Sequence, residues 1–163
     1  MNEYRITVEK DCLVFAAGHF ITYGGGKCET LHGHNYRTAV AVAGEMDENA
    51  LVFDFVLLKR LMEEIIEPLD HRMLLPTGNP LLEIETADGA VRVRHGDRRY
   101  EFPVSDVVFL PIPNTTAEMI ASWILDRLVE RLEARGAAGL RDIEIEVEES
   151  FGQSACCRRR FDL

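Results

Sequence analysis

Two long β-rich runs, YRITVEKDCLVFAAGHF and HGHNYRTAVAVAGEM, flank the segment ITYGGGKCET with its three consecutive glycines. In the second run Tyr36, Thr38, Val40 and Val42 alternate with Arg37, Ala39 and Ala41, the period-two pattern of a strand with one buried face. The first run alternates in part and predicts a strand from about Tyr4 to Ala17. Glycines reach backbone angles that other residues avoid, so ITYGGGKCET reads as the reversal that makes the two runs an antiparallel pair. A pair this long has an apolar face that a second layer must cover.

Candidate covering helices follow. Asp54 has the chemistry to cap a helix ending near Glu67 at Pro68, with Phe55, Leu58, Leu61, Met62, Ile65 and Ile66 at helical spacing. A second helix opens at Asn114 or Thr115, where Thr115 and Glu118 have capping-box spacing. Met119, Ile120, Trp123, Ile124, Leu128 and Leu132 line one side of it, and Gly136 and Gly139 stop it. Between the helices, the turn pairs Asp88-Gly89 and Gly96-Asp97 divide the chain into short strands, the pattern of a meander. Apolar Ile143, Ile145 and Val147 alternate with acids in RDIEIEVEES, and a last strand is expected from Ser154 to Phe161. The order is ββα, extra strands, α, ββ, which is α+β with an antiparallel sheet. The 163 residues contain no linker or repeat and are read as one domain, residues 1–163.

A net charge of −10 argues against broad binding to nucleic acid or a membrane surface. No apolar run approaches the roughly 20 residues that span a bilayer. The charged start MNEYRITVEKD lacks the apolar stretch of a secretion signal, so a cytoplasmic setting is expected. Cys12, Cys28, Cys156 and Cys157 form no CxxC pair and are read as reduced thiols.

His32 and His34 stand two apart on a strand, which puts both imidazoles on one face about 7 Å apart at the backbone. His19 ends the neighbouring strand and can come alongside. Three neutral imidazoles suit Zn²⁺ and leave one position open, as catalytic zinc sites do. An HxH pair alone is equally compatible with exposed or core histidines.

The blocks FAAGHF, KCETLHGHNY, LVFDF, LDHRML, TTAEMIASWI and EVEES, in this order across nearly the whole chain, resemble the 6-pyruvoyl-tetrahydropterin and 6-carboxy-tetrahydropterin synthase family. The resemblance implies a tunnelling fold, an antiparallel sheet with two helices on one face, and association through the sheets into a homo-hexamer, a dimer of trimers. It implies 7,8-dihydroneopterin triphosphate as substrate and Zn²⁺ held by His19, His32 and His34. Cys28 matches the catalytic thiol, Asp70 and His71 the Asp–His pair, and Glu149 the carboxylate that grips the pterin. Thr115 and Thr116 fall in a segment that contacts the pterin. A carboxylate suits the pterin's N–C(–NH₂)–N edge because its two oxygens accept two parallel hydrogen bonds. The segment from about 80 to 113 is longer than the family's usual connection and reads as an inserted β-meander.

Glu29 follows Cys28 directly, so CETLHGH contains both a thiol-x3-HGH and a carboxylate-x2-HGH spacing. Relatives with glutamate in that place form 6-hydroxymethyl-dihydropterin; the thiol spacing favours 6-carboxy-5,6,7,8-tetrahydropterin, a deazapurine (queuosine-type) precursor, with the 6-pyruvoyl product open. Glu29 is either catalytic or an exposed loop residue. A thiol acting as base needs its pKa brought below the ordinary value of about 8.5. Asp70 and His71, as sequence neighbours on a strand, would point apart and couple across subunits. Arg158, Arg159 and Arg160, or Lys27 and Arg72, are the candidate triphosphate contacts. A cupin-like oxygenase and a non-catalytic pterin- or metal-binding module are the competing readings; the two long helices oppose the first, and the joint presence of Cys28, Asp70, His71 and Glu149 opposes the second.

Overall fold

The computed structural model describes residues 3–161. Strand β1 (Tyr4–His19) leads through the short strands β2 (Thr22–Tyr23) and β3 (Lys27–Cys28) to β4 (His32–Gly44). Helix α1 (Phe55–Ile66) and a 3₁₀ turn (Glu67–Leu69) precede β5 (Arg72–Pro76). The meander β6 (Glu83–Ala87), β7 (Ala90–His95) and β8 (Arg98–Pro103) is followed by β9 (Val107–Leu110), α2 (Ala117–Glu133), β10 (Leu140–Ser150) and β11 (Gln153–Arg160).

The main sheet has six strands in the order β11-β10-β4-β1-β5-β9. Its first four are mutually antiparallel, as expected, but β5 and β9 join β1 in parallel, which makes the sheet mixed. The sequence signal for β5 and β9 was weak because each is a short, largely buried run with little alternation. The meander forms a separate three-stranded sheet.

Both helices pack on one face of the main sheet. Asp54 caps α1 by accepting from the amides of Val56 and Leu57, and Leu58, Leu61, Met62, Ile65 and Ile66 are buried. Phe55, assigned to that apolar stripe from spacing alone, is exposed in the first turn. The cap of α2 is Thr116, whose hydroxyl accepts from the Met119 amide, rather than Asn114 or Thr115. Thr115 is drawn into the interior, where its hydroxyl donates to the Phe20 carbonyl.

The predicted first strand runs on to His19 and carries a bulge. Glu9 pairs with Ala39 and Val14 with Arg37, so β1 carries three more residues than β4 over this interval. The bulge reverses which positions face the helices. Before it, Ile6 and Val8 pack into the core; after it, Leu13, Phe15, Ala17 and His19 point inward. Thr38 steadies the bulge by donating to the Leu13 carbonyl at 3.1 Å. On β4 the inward set is His32, His34, Tyr36, Thr38, Val40 and Val42, and on β10 it is Ile143, Ile145, Val147 and Glu149. The site described below is therefore the polar end of the apolar core.

Glu144, Glu146 and Glu148 face the other side of β10, as predicted, but they are half-buried rather than a simple solvated row. Arg5 pairs with Glu144, and Arg37 approaches Glu148 at 3.9 Å. A second, smaller core joins Phe20, Met73, Leu75, Leu82, Val91, Val93 and Val107, tying the meander to β5 and to the residue that follows His19. No described helix is long and apolar enough to cross a membrane.

Gly33 lies between two inward histidines and opposite Gly18. A Cβ built there would come 2.9 Å from the Ala17 carbonyl oxygen on the paired strand. Gly33→Ala is expected to push β1 and β4 apart and to destabilise the protein by about 1–3 kcal/mol, read from the urea midpoint.

Candidate active site

Three imidazoles meet where β1 ends and β4 begins. His19 pairs with His32 in the ladder, and their Nε2 atoms are 3.2 Å apart. Candidate ligand atoms of His19, His32 and His34 all lie within 4.8 Å of one another. His19 is buried, His34 half-buried and His32 exposed, so the group opens outward on one side.

The tautomers follow from the hydrogen bonds. His19 Nδ1 is 2.9 Å from the Thr115 carbonyl, which can only accept, so Nδ1 carries the proton. His32 Nδ1 is 2.8 Å from the Thr30 carbonyl and is protonated for the same reason. Both Nε2 atoms therefore present lone pairs to each other. His34 Nε2 is buried without a hydrogen-bond partner. Converging lone pairs repel unless a cation or a proton lies between them, and tetrahedral zinc with bonds of about 2.0–2.1 Å would put adjacent nitrogens roughly 3.3 Å apart. The donor set fits a divalent metal with outer hydrogen bonds already in place. Burial lowers the His19 pKa, the Thr115 and Glu149 contacts opposing it, which favours the neutral ligand form.

Around the imidazoles stand Glu149, Tyr36 and Glu29. Glu149 Oε1 is 3.4 Å from His19 Nε2 and 3.8 Å from His34 Nε2. It also borders a cavity of about 320 Å³ shared with Thr116 at the start of α2. Tyr36, buried and stacked on Phe15, reaches His19 Nδ1 at 3.2 Å and Glu149 Oε1 at 3.5 Å. Burial, then the charge of Glu149, raises its phenol pKa, so it remains a protonated donor. Sequence reading missed Tyr36 because its alternation made it another core position.

Cys28 and Glu29 diverge. Glu29 Oε2 lies 3.9 Å from His32 Nε2. The Cys28 side chain packs against the second core, with Sγ 3.5 Å from the Glu29 carbonyl. Burial raises its pKa, Arg98 opposing that effect, which is opposite to the depression that a thiolate base requires.

Asp70 and His71 couple within one chain rather than across subunits. His71 adopts a left-handed backbone with φ of 56°, and this turns its ring back onto its neighbour. Nδ1 is 2.8 Å from Asp70 Oδ2, while Asp70 Oδ1 accepts from the Ala16 amide at 2.8 Å. His71 shares a shallow cavity of about 480 Å³ with His32, His34 and Arg72. Of the candidate cations, Arg158 is paired with Asp142 at 2.7 Å and Arg159 with Asp126 at 2.5 Å. Arg72 borders the histidines; those two arginines are committed elsewhere.

Thr116 faces the smaller cavity, whereas Thr115 is enclosed and acts through its carbonyl on His19. Asn79, and the part that Asn114 plays apart from opening the second helix, also escaped sequence reading. Asn114 exchanges bonds with the Thr22 backbone at 3.2 and 2.8 Å, and Asn79 donates to the Thr22 hydroxyl at 2.8 Å. They pin the first half of the glycine-rich loop. Nothing in their local sequence signals a partner so far along the chain.

The family model described as 6-pyruvoyl tetrahydropterin synthase matches residues 6–160. The chain belongs to this family. Among its relatives is a protein of Methanocaldococcus jannaschii named putative 6-carboxy-5,6,7,8-tetrahydropterin synthase, 34% identical over 152 residues, with 93% of each chain covered. The 6-carboxy-5,6,7,8-tetrahydropterin synthase of Aquifex aeolicus is 32% identical over 145 residues, covering 77% of this chain and 80% of that one. The crystal structure of 6-pyruvoyl tetrahydropterin synthase from Plasmodium vivax superposes with a TM-score of 0.93 at 30% identity, covering 99% of this chain and 100% of that chain. A solved variant of that Plasmodium enzyme, also at a TM-score of 0.93, replaces a glutamate named as a catalytic residue. The fold is that of this tetrahydropterin synthase family, and the protein is an enzyme of that kind.

The bonds from the Ala16 amide and from His71 hold the Asp70 carboxyl below its ordinary range. Its contribution to stability is thus present above the unfolded value of about 3.9 and is lost as pH falls through the lower native value. Asp70→Asn should flatten the acid limb of urea midpoint against pH below about pH 4, leaving the neutral region parallel to wild type.

Proposed function

We propose that this chain is a zinc-dependent lyase that converts 7,8-dihydroneopterin triphosphate to 6-carboxy-5,6,7,8-tetrahydropterin, in the cytoplasm and as a homo-hexamer built from two trimers. The observation that carries the metal-dependent reading is the convergence of His19, His32 and His34, with Nε2 of His19 and His32 left bare by bonds at Nδ1 and Nε2 of His34 buried without a partner. The names of the sequence relatives and the thiol-x3-HGH spacing support the 6-carboxy product.

Zinc, when bound by the three imidazoles, supplies Lewis acidity toward the substrate's side-chain oxygens and so acidifies the neighbouring C–H bonds. The chain's own groups do the rest. Glu149 and Thr116 border the cavity suited to the pterin edge. The Asp70 carboxylate orients His71 through Nδ1, leaving Nε2 to exchange protons with substrate or solvent. Arg72 offers a cation toward the phosphates from the neighbouring cavity. Assembly through the sheets is supported by exposed apolar Val14 on β1 and by the open sheet edges at β11 and β9.

A second reading rests on Glu29. Its carboxylate lies 3.9 Å from His32 Nε2, and in the related Plasmodium enzyme a glutamate is named catalytic. A carboxylate base at this position favours side-chain cleavage to 6-hydroxymethyl-dihydropterin.

Mass spectrometry of the pterin formed from 7,8-dihydroneopterin triphosphate, with acetaldehyde assayed alongside, separates the two. On the first reading Cys28→Ala retains zinc and lowers 6-carboxy formation by about 10²–10⁴-fold, while Glu29→Gln leaves the product unchanged. On the second, the same loss follows Glu29→Gln, and Cys28→Ala is nearly silent. His34→Gln should abolish stoichiometric zinc by elemental analysis; full metal content in that variant rejects the three-histidine site.

A further inference from the structure

The inserted meander does more than extend the fold. At its tip, after the Gly96-Asp97 turn, Arg98 reaches back to the loop that carries Cys28 and Glu29, and its Nη1 donates to the Glu29 carbonyl at 2.5 Å. The bodies of the meander and the loop are packed together. Phe20, next to His19, stacks on Tyr100 of β8 with centroids 5.1 Å apart, and Tyr100 stacks in turn on Phe102 at 6.2 Å. Cys28 lies against the same second core.

The loop needs an external hold. Gly24, Gly25 and Gly26 have φ of 50°, 78° and 99°, so its turn is made of the three residues with least intrinsic stiffness. Asn79 and Asn114 fix Thr22, on the side before the glycines. Beyond them, the Glu29 amide donates to the Ile21 carbonyl at 2.9 Å, and the Glu29 carbonyl is held by Arg98. Cys28 and Glu29 are sequence neighbours in extended chain and therefore point to opposite sides. One backbone setting puts the thiol into the second core and the carboxylate beside His32.

We propose that Arg98 is a positioning residue: by binding the Glu29 carbonyl it clamps the Cys28–Glu29 segment against the histidine cluster, making the meander part of the catalytic apparatus. This rests on the reading that one of those two side chains serves as the base. Arg98 acts through the backbone, so its effect belongs to turnover, whichever pterin is formed. An arginine that instead gripped the triphosphate would act on substrate affinity.

The test uses the zinc-loaded full chain and the variants Arg98→Ala, Arg98→Lys and, as a control on the adjacent exposed residue, Arg99→Ala. Hydrogen–deuterium exchange reads the clamp without substrate. Losing one charge-assisted hydrogen bond should speed exchange at the Cys28 and Glu29 amides about tenfold in Arg98→Ala. Arg98→Lys, which keeps a cationic donor, should stay within about twofold of wild type, as should Arg99→Ala. With 7,8-dihydroneopterin triphosphate, kcat of Arg98→Ala should fall about tenfold, KM shifting less than about twofold, and lysine should restore most of the loss. Unchanged exchange in Arg98→Ala overturns the clamp. A raised KM at constant kcat also overturns it and makes Arg98 a substrate contact. Absence of turnover in wild type counts against the proposed reaction, and the exchange result still decides the clamp.

Discussion

The pairing of His19 with His32 at the end of the β1–β4 ladder is the constraint on which the site depends. It brings two Nε2 atoms to 3.2 Å, each made a bare acceptor by a backbone carbonyl at its Nδ1. One carbonyl is local, from Thr30, and the other comes from Thr115 just before α2. The start of the second helix thus fixes the ring of a residue on the first strand. Thr115 is held in turn by its hydroxyl on the Phe20 carbonyl, so the bonds close around His19 from both sides. Such outer bonds orient ligands before any metal arrives.

The polar groups of the site are continuous with the apolar interior. On three neighbouring strands the inward series runs from branched aliphatics into His19, into Tyr36, His34 and His32, and into Glu149. At this end of the sheet, burial by the helices gives out and polar groups take over the same face. A low-dielectric wall on one side and solvent on the other strengthens their mutual electrostatics. It also explains why the Tyr36 pKa is raised and the His19 pKa lowered, since burial favours the neutral form of each. The second core does for the glycine-rich loop what the first does for the strands, fastening it through Phe20 and Cys28 to a meander distant in sequence.

Much of this was legible from residue patterns. Alternation on β4 and β10 gave the inward faces, Asp54 and Pro68 bracketed α1, and the two glycine turns marked the meander. Other features were not. Phe55 has helical spacing yet is exposed at the first residue of α1. Thr115, with Glu118 at capping-box spacing, is the better cap candidate in sequence; burial of Thr115 against Phe20 leaves the cap to Thr116. Asp70 and His71 meet because His71 takes a left-handed conformation, which strand alternation does not anticipate. The choice between Cys28 and Glu29 is also silent in CETLHGH, since both spacings are present.

The sequence by itself determined where the titratable and ligating side chains stand and on which strand and face most of them lie, because period-two patterning and turn chemistry are local. Tertiary structure alone decided the β1 bulge that swings His19 inward, the carbonyl from Thr115 that sets its tautomer, and the reach of Arg98 to Glu29. Those depend on register between strands and on contacts across 69 to 96 residues, and no short-range pattern encodes such distances.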